Sequence, residues 1–326
     1  MKHKLFISGG CGFIGSNFIR RFLKAHPDWK LCNLDLLTYC GNRENTREFE
    51  KTPQYEFINA DVRDASAVEA AMKGAEGVVH FAAESHVDRS IENAAEFLTT
   101  NILGTNVMLS AARKQGIKRF LHISTDEVYG SLPSGSAHEN SPLEPNSPYS
   151  ASKAAADLLI RSYRETYQFP AMIARSTNNF GPYQFPEKVI PLFITNMMEG
   201  KKVPLYGEGL NQRDWIHVED NCDALIHIFE RGKPGEIYNI GGGNEMTNLA
   251  LTHTLLKIMG RGEDSIQRVT DRPGHDLRYS VDTRKIQSLG WKPKWNFEEA
   301  LRATVRWYQE NTAWWQPLKR DKFTLK

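Results

Sequence analysis

Tyr149 and Lys153 stand four residues apart in the segment Asn146–Tyr163, a spacing that places both side chains on one face of a helix. An ammonium beside a phenol lowers the phenol's pKa from its free value of about 10, and the tyrosinate can take a hydroxyl proton while hydride leaves the same carbon. Ser147 is placed to cap this helix, with Pro148 in its first turn. Such a pair arises by chance in a chain with 11 tyrosines, so its position has to support it. Ahead of it a run of strand-forming residues ends in Ser124 and Thr125, whose hydroxyls can hydrogen-bond a reacting oxygen. Asp126 and Glu127 follow at once. Adjacent carboxyl groups at a strand end are ordinarily solvated charges, but in a site one can remove a proton while the other donates one.

A second constellation lies near the N-terminus. Gly10, Gly12 and Gly15 match the dinucleotide fingerprint, and Gly9, Gly12 and Gly15 match its close variant. Glycines there permit a tight turn and a close backbone approach to a pyrophosphate, which the following helix start attracts. Asp35 ends the next strand, about 20 residues after Gly15, where a carboxylate holds the adenosine ribose hydroxyls. It would repel a 2′-phosphate, and Leu36 and Leu37 offer that phosphate no cation, so NAD is expected rather than NADP. Asp61 and Val62 follow the third strand, where adenine would lie.

These residues need elements that present them together. Short runs rich in β-branched and aromatic residues read as strands at Lys4–Ser8, Lys30–Asp35, Tyr55–Ala60, Gly77–Ala83, Arg119–Thr125 and Ala171–Thr177. Helical patterns at Phe13–Ala25, Ala65–Lys73, Ala94–Gln115 and Pro148–Tyr167 alternate with them. The alternation predicts an α/β fold, a Rossmann-like doubly wound parallel sheet, with a smaller α+β substrate-binding lobe. Residues 1–177 are expected to form the first domain and 178–326 most of the second. The boundary is discontinuous, because segments such as 213–243, with the strand-like EIYNIG, are expected to return to the sheet.

Composition narrows the function. The net charge of +2, from 41 basic and 39 acidic residues, comes without a run of like charges that could grip a nucleic acid backbone. Cys11, Cys32, Cys40 and Cys222 lack metal-ligand spacing and show no evident pairing, so no metal site is expected and a reducing, cytoplasmic setting is. No segment is apolar for long enough to cross a bilayer. Trp307, Trp314 and Trp315 read as packing of a terminal helix rather than as base-stacking residues.

The strings STDEVYG, NSPYSASKAAADLLIRSY, LDLLTYCGN, FAAESHVDRSI, NNFGPYQFPEKVIP, RDWIHVED and DRPGHDLRYSVD together resemble the extended short-chain dehydrogenase/reductase family over nearly the whole chain, and within it the hexose 4,6-dehydratases. The resemblance implies a hydro-lyase that oxidises carbon 4 of a nucleotide-diphosphate hexose, eliminates water across carbons 5 and 6, and returns hydride to carbon 6. It assigns Thr125, Tyr149 and Lys153 to the oxidation, Glu127 as base and Asp126 as acid. It implies NAD contacts at Gly9, Gly12, Phe13, Ile14, Gly15, Asp35, Asp61, Val62, Ala83, Tyr149 and Lys153. Substrate contacts are implied at Thr125, Asn179, Lys188, Val189, Arg213, Asn244 and Arg272, the planar arginine forks suiting a diphosphate. A dTDP-linked glucose is the expected substrate, with a UDP-linked one left open. An epimerase or decarboxylase would lack the paired acids, and an NAD-sensing regulator without catalysis would not need Thr125, Asp126, Glu127, Tyr149 and Lys153 together. The helices Ala94–Gln115 and Pro148–Tyr167 resemble those through which relatives pair, so a homodimer is expected.

Overall fold

The computed structural model describes residues 3–322, with side chains through Lys319. Residues 323–326 of the expected second lobe lie outside them. Strands β1 (His3–Ser8), β2 (Trp29–Asp35), β3 (Tyr55–Asn59), β4 (Gly77–His80), β5 (Arg119–Thr125) and β6 (Ala171–Ser176) alternate with helices α1 (Phe13–Ala25), α2 (Ala65–Met72), α3 (Val87–Glu92), α4 (Ala95–Phe97), α5 (Thr105–Lys114) and α6 (Pro148–Tyr167). Later in the chain come β7 (Asn178–Phe180), α7 (Val189–Met198), β8 (Val203–Tyr206), β9 (Gln212–His217), α8 (Val218–Arg231), β10 (Ile237–Ile240), β11 (Glu245–Thr247), α9 (Asn248–Met259), β12 (Ile266–Val269), α10 (Arg284–Ser288), α11 (Phe297–Glu310) and α12 (Thr312–Lys322).

The main sheet is parallel, with strand order β3-β2-β1-β4-β5-β6-β10. The order reverses between β1 and β4, and a crevice opens at the carboxyl ends of strands on either side of such a reversal. Alternate residues of each strand feed opposite faces. Leu5 and Ile7 of β1 join Phe18, Ile19 and Phe22 of α1 and Leu225, Ile226 and Phe229 of α8. Phe6, between them, joins Val68 and Met72 of α2, Met108 and Leu109 of α5, and Ile160 of α6. Both faces are therefore covered, which is why the strands read as nearly continuous apolar runs.

Strand β10 pairs with β6 as the seventh strand, and α8 packs on the sheet through Phe229. Residues 212–217 do not join them. As β9 they pair with β7 and β11 in a separate three-stranded sheet, which takes up the backbone groups a return to the main sheet would need. A further pair, β8 with β12, and helices α7, α9 and α11 close a second core around Phe193, Leu255, Leu301 and Tyr308. Trp315 is buried in that core, and Trp307 and Trp314 pack edge to face 5.1 Å apart against it, so the terminal tryptophans serve packing.

Two local features depart from the expected elements. The strand expected at Gly77–Ala83 ends at His80, and residues 81–86 run on as an irregular segment. The helix expected over Ala94–Gln115 contains a π-helical turn, Leu98–Gly104, between α4 and α5. That turn presents Asn101 to the irregular segment, where its side chain accepts from Glu84 N at 2.9 Å and donates to Glu84 O at 3.0 Å and to Ser152 Oγ at 2.8 Å. A buried amide satisfied on three sides fixes the loop after β4 to α6.

Phe22 is fully buried between Phe18, Trp29 and Phe229. Phe22→Ala should destabilise the fold by about 3–5 kcal/mol, read as a lower urea midpoint at an unchanged slope. A loss below about 1 kcal/mol would mean that α1 and α8 do not depend on this contact.

Candidate active site

The crevice at the reversal point is a cleft of about 250 Å³. Every residue expected to hold NAD lines it: Gly9, Gly12, Phe13, Ile14, Gly15, Asp35, Asp61, Val62, Ala83, Tyr149 and Lys153. The glycines do different work. Gly9 has φ +75, and a Cβ there would lie 2.5 Å from Ala82 N. At Gly15 a Cβ would meet Gly9 O at 2.4 Å, so both glycines are required by the fold itself. A Cβ on Gly12 would meet only Gly9 O, at 3.3 Å, and would otherwise project into the cleft. Gly12 is also the N-cap of α1, with no side-chain cap and no acidic residue in the first turn. The unpaired amides and positive end of the helix thus face an open space that fits a pyrophosphate.

Asp35 is buried, and its two oxygens accept from Cys11 N and Leu37 N, each at 2.8 Å. Burial raises its pKa, and those two amides oppose the rise. Each oxygen keeps a lone pair for a ribose hydroxyl. Asp61 accepts from Arg63 and is held below the usual carboxylate range despite partial burial. Cys11, within the glycine loop, is fully buried, and its thiol is pushed up to about 12 by burial and by Asp35.

The second half of the site sits at the end of β5. Thr125 caps the short turn Asp126–Tyr129 by accepting from Glu127 N at 3.2 Å, and its hydroxyl donates to Asp126 Oδ1 at 3.2 Å. The same turn places Asp126 and Glu127 close enough to Tyr149 to act on its charge. Asp126 is 3% exposed, and its Oδ2 has no hydrogen-bond partner among the described residues. Burial and the neighbouring Glu127 raise its pKa well above the ordinary value, which favours the neutral acid. Glu127 is only partly buried. Burial raises its pKa too, but Arg213, Arg272 and Lys188 all pull it back toward the carboxylate. Both adjacent carboxyl groups are thus raised, Asp126 further than Glu127, so Asp126 is the better suited of the two to donate a proton and Glu127 to accept one.

The expected ammonium–phenol pairing is not what the structure shows. Lys153 Nζ donates to Ile123 O at 2.6 Å and reaches His122 Nε2 at 3.3 Å. The Tyr149 phenol is raised above its ordinary value by burial, then by Glu127 and Asp126, with the Thr125 hydroxyl opposing. Helical spacing places the two side chains on one face, but the desolvation and nearby carboxyl groups come from tertiary structure.

The second lobe contributes the remaining candidates. Arg213 is buried over the Tyr279 ring at 4.2 Å and donates to Asp276 O. Arg272 pairs with Asp88 at 2.9 Å, while its Nε is buried without a partner among the described residues. Lys188 lines the cleft and donates to Ser85 O, and Val189 opens α7 beside it. Asn179 donates to Thr177 O and leaves a buried Oδ1 without a partner among the described residues. Asn244 is not brought to the cleft: its amide donates to Trp215 O and Gly242 O, and it lines a separate small cavity with Phe180 and His217. It shapes the glycine turn before β11. The sequence reading did not single out Glu84, Ser85 or Asp88, although all three stand in the quoted string FAAESHVDRSI. Their signal was that string's polar residues directly after a sheet strand.

Fold and site together define a dinucleotide-binding enzyme of the extended short-chain dehydrogenase/reductase type. The model of the GDP-mannose 4,6 dehydratase family matches residues 6–304, and the chain belongs to that family. It is 49% identical over 321 residues to a dTDP-glucose 4,6-dehydratase of Streptomyces niveus, covering 97% of this chain and 96% of that one. It is 50% identical over 302 residues to the low-salt glycan biosynthesis protein Agl12 of Haloferax volcanii, covering 93% and 97%. The crystal structure of DesIV, a dTDP-glucose 4,6-dehydratase from Streptomyces venezuelae with NAD and dTDP bound, superposes with a TM-score of 0.95 at 50% identity, covering 97% and 100% of the two chains.

The two kinds of glycine can be told apart. Gly12→Ala should leave the melting temperature of the NAD-free protein within about 2 °C, a surface-sized effect, and abolish most of the stabilisation on adding NAD. Gly15→Ala should lower the melting temperature even without NAD. Equal behaviour of the two variants in a thermal-shift titration would contradict this division.

Proposed function

We propose that this chain converts dTDP-glucose to dTDP-4-keto-6-deoxyglucose with NAD as its resident cofactor. The observation that carries the reading is the pair Asp126 and Glu127 beside the Tyr149 phenol, both raised by burial and Asp126 the further of the two. Near full-length similarity to proteins named for this activity supports it. Gly9, Gly12, Phe13, Ile14, Gly15, Asp35, Asp61, Val62, Ala83, Tyr149 and Lys153 would hold NAD, which when bound supplies the acceptor and later the donor of hydride.

The side chains move the protons. Tyr149, which must be ionised to the tyrosinate for this step, would take the proton of the hydroxyl on carbon 4, and Thr125 would hydrogen-bond the same oxygen. A ketone at carbon 4 acidifies the hydrogen on carbon 5, and Glu127 removes it. Asp126, kept neutral by burial, donates its proton to the hydroxyl leaving carbon 6, so one water departs. Arg213, Arg272 and Lys188 all act on Glu127 with positive charge, and they would hold the diphosphate. The unpartnered Nε of Arg272 and Oδ1 of Asn179 are polar atoms that a nucleotide would satisfy. Val189, at the uncapped start of α7, is assigned to the same end of the substrate.

The helix formed by α4, the π-helical turn and α5 presents exposed Leu98 and Leu103, and α6 presents exposed Leu158. These faces are assigned to pairing with a second copy. Leu103→Arg should convert a dimer into a monomer in sedimentation without loss of helicity; a monomeric parent protein would refute the assignment.

Purified protein incubated separately with dTDP-glucose, UDP-glucose and GDP-mannose should form a 4-keto-6-deoxy sugar fastest from dTDP-glucose. A 4-epimer as the product would replace the reading with an epimerase. Glu127→Gln should slow product formation by about a hundredfold or more while substrate still produces the absorbance of reduced nicotinamide. Ordinary turnover in that variant would remove Glu127 from the role of base.

A further inference from the structure

Behind Lys153 lies a group of buried ionisable side chains that the reaction above does not use. His122 on β5, Asp157 on α6 and Arg175 on β6 are 1%, 1% and 3% exposed in side chain, and none of them lines the cofactor cleft. Asp157 follows Lys153 by four residues, so the two share one face of α6. The ammonium reaches His122 Nε2 at 3.3 Å, and the same nitrogen lies 3.9 Å from Asp157 Oδ1. That carboxylate oxygen accepts no hydrogen bond among the described residues. The other, Oδ2, accepts from Arg175 Nε at 2.8 Å, and Arg175 Nη1 runs on to the Tyr129 phenol at 2.8 Å. Arg175 therefore anchors the carboxylate and leaves its other oxygen beside the imidazole that the lysine reaches.

We propose that Asp157 and His122 are positioning residues for Lys153, the carboxylate supplying the countercharge that keeps the lysine an ammonium and the imidazole accepting one of its N–H bonds to fix its direction. The proposal rests on the functional reading only in giving Lys153 a charged role. An ammonium taken out of water sheds its proton unless a counter-ion opposes the loss. Burial draws Lys153 down to about 8, and Asp157 is the charge that opposes this. His80 on β4 also faces the cluster, its ring 5.2 Å from that of His122. Burial, with the charge of Lys153 behind it, lowers the pKa of both imidazoles. A neutral His122 can accept from the ammonium instead of repelling it. Arg175 acts on His122 in the same direction. On the cleft side stand Tyr149, on the same helix and itself raised by burial and also by the Asp157 charge, and Asp126 and Glu127, on the turn after β5.

The direction of the effect follows. Lys153 is charged below its pKa, so losing the Asp157 charge lowers the pH at which the ammonium disappears, and the alkaline limb of turnover moves toward acid. The titration of Lys153 can be read in the NAD-free protein by NMR of isotope-labelled lysine, its resonance identified by its absence from Lys153→Met. The midpoint should fall by about one pH unit or more in Asp157→Asn and move the same way in His122→Leu, a tenfold change in the ammonium ratio per unit. Asp157→Glu should restore most of it. The alkaline limb of kcat should follow the same order. A role limited to packing would lower the melting temperature and leave the lysine midpoint in place, which would overturn the proposal. His122→Leu keeps the Asp157–Arg175 pair, so it carries the test if Asp157→Asn does not fold. The lysine titration needs no substrate, so a parent protein inactive on dTDP-glucose would overturn the functional reading and leave this one standing.

Discussion

Water is kept from a cluster of ionisable groups at the carboxyl end of β5, and the rest of the molecule is arranged around that exclusion. Asp126, Tyr149 and Lys153 are each less than a tenth exposed, and for each of them burial is the largest influence on the pKa. In water the two carboxyl groups would ionise alike and the phenol and ammonium would keep their ordinary values. Desolvation separates them, and the specific neighbours of each group set how far it moves. The sheet accomplishes this by running β5 into a tight turn capped by Thr125, directly over the first turns of α6.

Division of labour between the lobes follows from the same constraint. The sheet supplies the glycine turn, the uncapped start of α1 and Asp35, whose short carboxylate is fixed by the backbone amides of Cys11 and Leu37. The second lobe supplies long cations: Arg213 within β9, Arg272 in the loop after β12 and Lys188 just before α7. They converge on Glu127, the least buried member of the acid pair. The same cations restrain the rise of Glu127, while Asp126 is raised further, so a cation cluster suited to a diphosphate also acts on the acid pair.

The sheet strands were legible because burial on both faces leaves continuous β-branched and aromatic runs, and α1 and α6 because their starts carry glycine and serine-proline signals. The lining of the cleft was legible for a related reason: the glycine turn and the strand-end Asp35 are set by local backbone geometry, which local sequence encodes. What was not legible depends on distant partners. The early end of β4 at His80 reflects Asn101 capturing the backbone of Glu84, a contact no local pattern announces. Asn244 resembled a ligand residue by its glycine-rich neighbourhood, yet its amide is consumed by Trp215 O and Gly242 O. The upward shift of Tyr149 was hidden for the same reason, since spacing along α6 says nothing about the carboxyl groups that β5 brings against the phenol.

The π-helical turn at Leu98–Gly104 sets a limit on how this scaffold tolerates change. It accommodates one more residue than a regular helix would across the same rise, and so fixes the rotational phase between α4 and α5. Deleting a single residue there would let the helix relax into ordinary winding and swing Asn101 by roughly 100° about the axis, away from Glu84 and Ser152. Length variation among natural or engineered versions of this chain should therefore collect in the surface loops of the second lobe and be excluded from a helix that, by its outward face alone, looks ordinary.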